Sequence, residues 1–288
     1  MTIYFQRHIF HNITILLALI TLLSSCSSTR LIYTFIDDFI QDEVTYFIDL
    51  DTKEELLLSQ QVSKMVTWHR KSMLPRYADY FNDIADKIEV GKYDDIYIKK
   101  ILENGKFLIE QTVTGLTPYA SKFLVQHQTI ENIKIMKKRM ATRQKERLDE
   151  LSEPEEILYK NRLNKFISNF ERFFGDLSNE QVKLIEVHAR DTLNDSSIRL
   201  HNRSLRQKAF INFIKNQPSE TELMYFLNKL LLRGHLITNP TYQAFSEMSL
   251  IRFRILLVNM LAISSEAQKE TIISNLRDYA YDFKDLSE

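Results

Sequence analysis

Apolar residues recur along this chain at helical rather than strand spacing. Ile32, Phe35, Ile36, Phe39, Ile40, Val44, Phe47 and Ile48 follow the i, i+3, i+4, i+7 rhythm, while Asp37, Asp38, Gln41, Asp42, Thr45 and Asp49 take the opposite face. Helix starts are signalled by a Ser or Asp followed three residues later by Glu or Gln, a pair whose side chains satisfy each other's free backbone amides. Asp51/Glu54, Ser152/Glu155, Ser178/Gln181, Ser219/Glu222 and Ser265/Gln268 carry this signature. The five glycines and five prolines are placed as punctuation, near expected helix ends. The pattern predicts helices over 31–49, 52–73, 76–90, 94–114, 118–150, 154–174, 179–215, 219–233, 240–263 and 266–284, with the 179–215 piece breaking near Asn194-Asp195-Ser196. Helix 240–263 is apolar nearly all round and is expected to be central and buried. No strand-like alternation competes, so the fold class is all-α: an array or bundle of about ten helices, elongated or two-lobed with lobes meeting near residue 151. No linker-like composition divides it, and residues 31–288 read as one helical domain.

The N-terminal stretch breaks this pattern. Arg7, His8 and His11 precede an unbroken apolar run, Ile13 to Leu23, then Ser24, Ser25 and Cys26, the sole cysteine of the chain. The run is too short for a bilayer-spanning helix, which needs roughly 20 residues, and has the layout of a secretory signal with small residues at its cut site. Leu23-Ser24-Ser25-Cys26 resembles the lipobox of bacterial lipoproteins. That resemblance implies a signal peptide over 1–25, cleavage after Ser25, and lipid on the sulfur and new amine of Cys26, followed by a short tether to Arg30. Two or more acyl chains anchor stably where one does so only marginally. Ser27 in place of Asp implies, by the same resemblance, the outer membrane, with the body facing the periplasm. With Cys26 acylated no disulfide is available, and stability rests on burial, for which a body of about 260 residues suffices.

Charge adds little globally, since 38 basic and 38 acidic side chains cancel. No field draws nucleic acid to the whole molecule, and no nucleic-acid partner is expected. Locally, Asp37 to Glu55 holds eight carboxylates against Lys53, and Lys134 to Arg147 holds seven cations against Glu146. The basic run reads either as a contact for phosphate head groups or as a solvated face and partner for the acidic segment, the second being preferred.

Chemistry is sparse. His69, His127, His188, His201 and His235 are scattered, with no pair spaced to place two metal ligands on one helix face. A nucleophile elbow and a glycine-rich phosphate loop are both missing, and the acidic neighbours Asp37, Asp38, Asp42 and Glu43 read as a hydrated face. No catalytic residue, metal or cofactor is expected. The densest group of reactive side chains is Trp68-His69-Arg70 with Arg76-Tyr77. It reads as a ligand-binding helix corner, with an aromatic platform, two guanidinium groups and a titratable imidazole, or as a structural corner in which Trp68 and Tyr77 are core anchors; the structural reading is preferred.

The lipobox, the Thr29-Arg30-Leu31-Ile32-Tyr33 start, the Trp68-His69-Arg70 to Leu74-Pro75-Arg76-Tyr77-Ala78 stretch and Asp176-Leu177-Ser178-Asn179-Glu180-Gln181 together resemble a family of all-helical Gram-negative lipoproteins of unknown function. The resemblance implies an all-α body on an outer-membrane anchor and transfers no catalytic residue. The expected function is a non-enzymatic, membrane-tethered interaction with an envelope protein or component. The alternatives are a tethered chaperone or transport accessory for a secreted client and, last, an enzyme using the Trp68–Tyr77 region.

Overall fold

The computed structural model describes residues 28–288, and all of its regular elements are helical. The apolar signal-like run, Cys26 and Ser27 lie outside the described residues. In chain order the helices are α1 Ser28–Thr34, α2 Ile36–Phe47, α3 Thr52–Ser72, α4 Leu74–Glu89, α5 Asp95–Gln126 and α6 Ile130–Leu151. They continue with α7 Glu155–Phe174, α8 Asn179–Asp191, α9 Asp195–Ile214, α10 Glu220–Leu232, a 3₁₀ turn Gly234–Leu236, α11 Tyr242–Ala262 and α12 Glu266–Ser287.

The amides at the starts of α3, α8, α10 and α12 are closed by capping boxes on Asp51, Ser178, Ser219 and Ser265, as the spacing predicts. Ser152 departs from the prediction. It ends α6, donating its hydroxyl to Leu148 O, and α7 starts behind Pro154 without a side-chain cap. Asp94 and Thr129 cap α5 and α6 without the reciprocal Glu or Gln. The predicted break near Asn194 falls between α8 and α9, and the predicted 31–49 helix divides at Phe35, whose φ of −112° and ψ of 8° leave the helical region. The residues read as a tether are helical from Ser28, because Arg30 binds Asp282 at 2.7 Å and Asp285 at 3.3 Å on α12.

Two predicted helices, 94–114 and 118–150, are redrawn most. The first runs on through Gly115 and Pro118 to Gln126, and the interruption comes later, between His127 and Thr129. An internal proline removes the amide that would bind the carbonyl four residues back, here that of Thr114. The Thr117 hydroxyl takes that place, 3.0 Å from Thr114 O and 2.7 Å from Val113 O. The backbone acceptor is satisfied and the helix survives.

At about 48 Å, by the rise per residue of an α-helix, α5 reaches both hydrophobic cores. Ile98 near its start joins Ala85, Ile88, Phe170, Ile185, Met260 and Leu276. Phe123 near its end joins Leu58, Val62, Val66, Met136, Ile211 and Ile214. The two cores do not part at residue 151, because α9 returns to the one built by α3 and α6. The α11 helix is central only at its C-terminal end. Leu256, Met260 and Leu261 are buried, whereas Met248, Leu250, Ile251 and Ile255 face solvent. It packs on α5 and α8, and its Ser249 and Arg252 reach Asp195 at the start of α9.

Candidate functional site

The Trp68–Tyr77 corner is where α3 turns into α4. Five side chains were expected there, and the structure joins four of them to two that local sequence did not indicate, Tyr33 and Thr112. His69 Nδ1 lies 2.7 Å from the Tyr33 hydroxyl and its Nε2 lies 3.4 Å from that of Tyr77. Tyr77 in turn meets the Thr112 hydroxyl, which donates to Leu108 O at 2.9 Å. That last carbonyl can only accept, so it sets the direction of the whole chain. Thr112 gives its proton to Leu108 and accepts from Tyr77. Tyr77 accepts from His69 Nε2–H, and His69 Nδ1 accepts from Tyr33. The imidazole is therefore a neutral Nε2–H tautomer with both nitrogens engaged. Arg70 donates to Tyr33 O at 3.1 Å and lies over the Tyr33 ring. Trp68 packs flat on Gly115 of α5. Arg76 is exposed and points elsewhere. The hydroxyls and ring nitrogens of Tyr33, His69, Tyr77 and Thr112 are spent on one another and on Leu108 O, so the corner clamps α1, while Arg70 Nε is buried without an acceptor.

The clamp predicts a pH dependence. Burial lowers the pKa of His69 and raises that of Tyr33 to about 12, with Tyr77 adding to the latter. His188, edge-on to Phe166, is also lowered, by burial first and then by Arg162 and Arg252. A free imidazole takes a proton near pH 6.5, and these two take it only at lower pH. As pH falls through 6.5, the unfolded state binds more protons than the folded one at these two groups and stability declines; just above about pH 7.5 their contribution is flat. Urea midpoints at pH 7.5 and 5.5 should differ less for His69→Gln than for the wild type. Equal differences would mean that His69 contributes none of the dependence.

A second polar cluster joins α7, α9 and α11. Asp195 is buried and accepts two 3.0 Å contacts from Arg252 and one of 3.2 Å from the Ser249 hydroxyl. Arg162 donates to Thr192 Oγ1 at 2.7 and 3.0 Å. Burial pulls its guanidinium below the usual arginine range, Asp195 opposing while Arg199 and Arg252 add to the pull. Among the described residues no three His, Cys, Asp or Glu side chains gather as metal ligands. No helix of the described residues is long and apolar enough to cross a membrane.

An apolar opening with room for a ligand lies elsewhere, in the core of α2, α3, α5, α6 and α9. A cavity of about 350 Å³ opens there, lined by Ile40, Val44, Phe47, Leu58, Val62, Met65, Phe123, Met136, Met140 and Phe210, with almost no polar surface. This is within the roughly 300–1,000 Å³ of small-molecule pockets. The polar lining is Glu43, Gln61 and the edge of Tyr119. Glu43 is held in a bidentate pair by Arg143, which lowers the pKa of the carboxyl, and Gln61 Oε1 is buried without a hydrogen-bond donor. Arg139 and Arg143 stack over Tyr46 beside this pair. The acidic segment and the basic run thus meet at the cavity through Glu43 and Arg143. The walls come from residues 40 to 210, which is why no local motif announces them.

Residues 46–240, about two thirds of the chain, match DUF6279, a family of unknown function. The chain belongs to DUF6279. The matched region runs from the end of α2 through the 3₁₀ turn. It holds the Trp68–Tyr77 corner, Asp195, Arg162 and most of the cavity wall, while Ile40, Glu43, Val44 and Arg252 lie beyond its limits. The Asp176–Gln181 stretch falls inside the DUF6279 match, and the Thr29–Tyr33 start falls outside it. No curated protein matches the chain, and no solved structure does.

Proposed function

We propose that this DUF6279 protein is a lipid-anchored, non-enzymatic binding protein of the cell envelope, which holds a slender apolar group in the cavity between α2, α3, α5, α6 and α9. The cavity carries this reading, because an opening walled almost wholly by Ile, Leu, Val, Met and Phe favours an apolar group. Acylation of Cys26 and residence at the periplasmic face of the outer membrane rest on the Leu23-Ser24-Ser25-Cys26 sequence. A further support is the surface next to that cysteine. Leu31, Ile32, Phe35 and Phe39 are each more than half exposed, and all four are within thirteen residues of Cys26. Contrary to the opposite faces expected from the spacing, Asp38 and Asp42 are exposed on the same face as Phe35 and Phe39, which suits shallow contact with a zwitterionic leaflet better than with an anionic one. A tethered chaperone is the second reading, since apolar side chains of a client would fill the same opening.

Two measurements test the proposal. Membrane fractionation should find the wild type with the outer membrane and Cys26→Ala released; identical fractionation rejects the anchor. Binding of a fluorescent fatty acid to the folded body should weaken at least tenfold in Val44→Trp, which places an indole in the cavity, with the melting transition kept as a control on folding. Unchanged binding rejects the cavity as the ligand site.

A further inference from the structure

Past the Glu43–Arg143 pair, the groove between α6 and α9 changes character. Arg147 is seven residues, about 10 Å, beyond Met140 on α6, and Arg206 and Arg203 are one and two turns before Phe210 on α9. These arginines and Arg199 line a cleft of about 440 Å³ that contains a single carboxylate, Glu150. Arg147 spends itself on Glu150 at 2.6 Å, and Arg199 leans toward Asp195 at 3.8 Å. Among the described residues Arg203 and Arg206 have no carboxylate within 4 Å, and Arg206 Nε is buried with no acceptor at all. Arg199, Arg203 and Arg206 are spaced i, i+4, i+7, so three like charges share one helix face, relieved only in part by Asp195 beside Arg199 and by the field of Glu43 at Arg203.

The cleft is also preorganised. The Arg206 stem lies against Gly234, where a Cβ would stand 2.7 Å from Arg206 Cδ. A guanidinium held in place, with a free buried N–H, loses little freedom on binding and matches the oxygens of a phosphate in a forked geometry.

We propose that this cleft binds the phosphoryl head group of the same molecule whose apolar tail occupies the cavity, so that the ligand is a phosphate-bearing amphiphile. This rests on the cavity reading above and adds the chemistry of the head. An apolar cavity and an arginine cleft lie end to end along one helix pair, with the Glu43–Arg143 ion pair beside the cavity.

The test compares four probes on the purified, folded body by calorimetry: dihexanoyl phosphatidic acid, dihexanoylglycerol, glycerol phosphate and inorganic phosphate. Phosphatidic acid is expected to bind at least tenfold more tightly than the other three. The double variant Arg203→Gln/Arg206→Gln should abolish that advantage and leave dihexanoylglycerol unaffected, whereas Val44→Trp should weaken both tailed probes. Equal binding of the two tailed probes, untouched by the arginine variant, overturns the proposal and leaves the cavity reading intact. Tight binding of glycerol phosphate or inorganic phosphate without any gain from a tail overturns the link between cleft and cavity and marks a site for free phosphate compounds. Loss of tail binding in no cavity variant would instead sink the cavity reading itself.

Discussion

Asp195→Ala should destabilise the folded body by about 3 kcal/mol, near the lower end of the range for breaking a buried ion pair. Asp195 is nearly enclosed, and its carboxylate pairs with Arg252 and Arg199 and acts on Arg162. Removing it leaves the Arg252 guanidinium, about 70% covered, facing Arg162 with nothing between them. Arg199 is over half exposed and can turn to water, which is why the upper end of the range does not apply. Asp195→Asn keeps the shape and the contact with Ser249 but not the charge, and should fall between alanine and wild type. Urea denaturation reads both; a loss below about 1 kcal/mol for alanine would put this pair with ordinary surface ion pairs.

The residues that were legible in the sequence and those that were not divide by distance along the chain. Helix starts depend on atoms three residues apart, and four of the five predicted capping boxes form. The fifth fails locally too: Pro154 starts α7, and Ser152 is used by the helix before it. Gly115 and Pro118 look like a helix end because their neighbours in sequence give no other reason for them. The reason for Gly115 is Trp68, almost fifty residues earlier, and the repair of Pro118 is a threonine hydroxyl that pattern reading treats as ordinary polar surface. The same holds at the candidate sites. Trp68, His69, Arg70 and Tyr77 stand out together because they are close in sequence, yet the direction of their hydrogen bonds is set by Thr112 and Leu108. Arg76 was included for its proximity, but adjacent residues on a helix face different ways. The cavity and the arginine cleft assemble only when α6 and α9 meet, and the Asp195 cluster only when α9 meets α7 and α11, so no one of these segments reveals them. The composition of α11 predicts burial all round, whereas Met248, Leu250, Ile251 and Ile255 are exposed, because burial depends on partners that the composition does not name.

Gly115→Ala is expected to destabilise the protein by about 2–3 kcal/mol, although alanine is the better helix former by roughly 1 kcal/mol. A Cβ at position 115 would stand 1.9 Å from Trp68 Cη2 and 2.0 Å from Cζ2, closer than any contact between nonbonded carbons. The clash is with the rigid body of the indole, so it cannot be relieved by bending the end of a chain. Either Trp68 leaves its place, giving up much of its packing, or α3 moves off α5, disturbing the clamp that His69 makes with Tyr33 and Tyr77. Gly105 supplies the contrast on the same helix. A Cβ there meets the Tyr80 hydroxyl at 2.8 Å and Cζ at 3.4 Å, the far tip of a ring whose hydroxyl hydrogen-bonds Ile101 O. Gly105→Ala should therefore be close to neutral, the helix gain offsetting the adjustment. Trp68 is the sole tryptophan, and its fluorescence reports the displacement directly, moving to longer wavelength in Gly115→Ala and staying put in Gly105→Ala. Combining Gly115→Ala with Trp68→Leu should recover part of the loss relative to the sum of the two single changes, because the clash exists only when both groups are present. A Gly115→Ala protein as stable as the wild type, with unshifted emission, would show that the indole does not rest on α5.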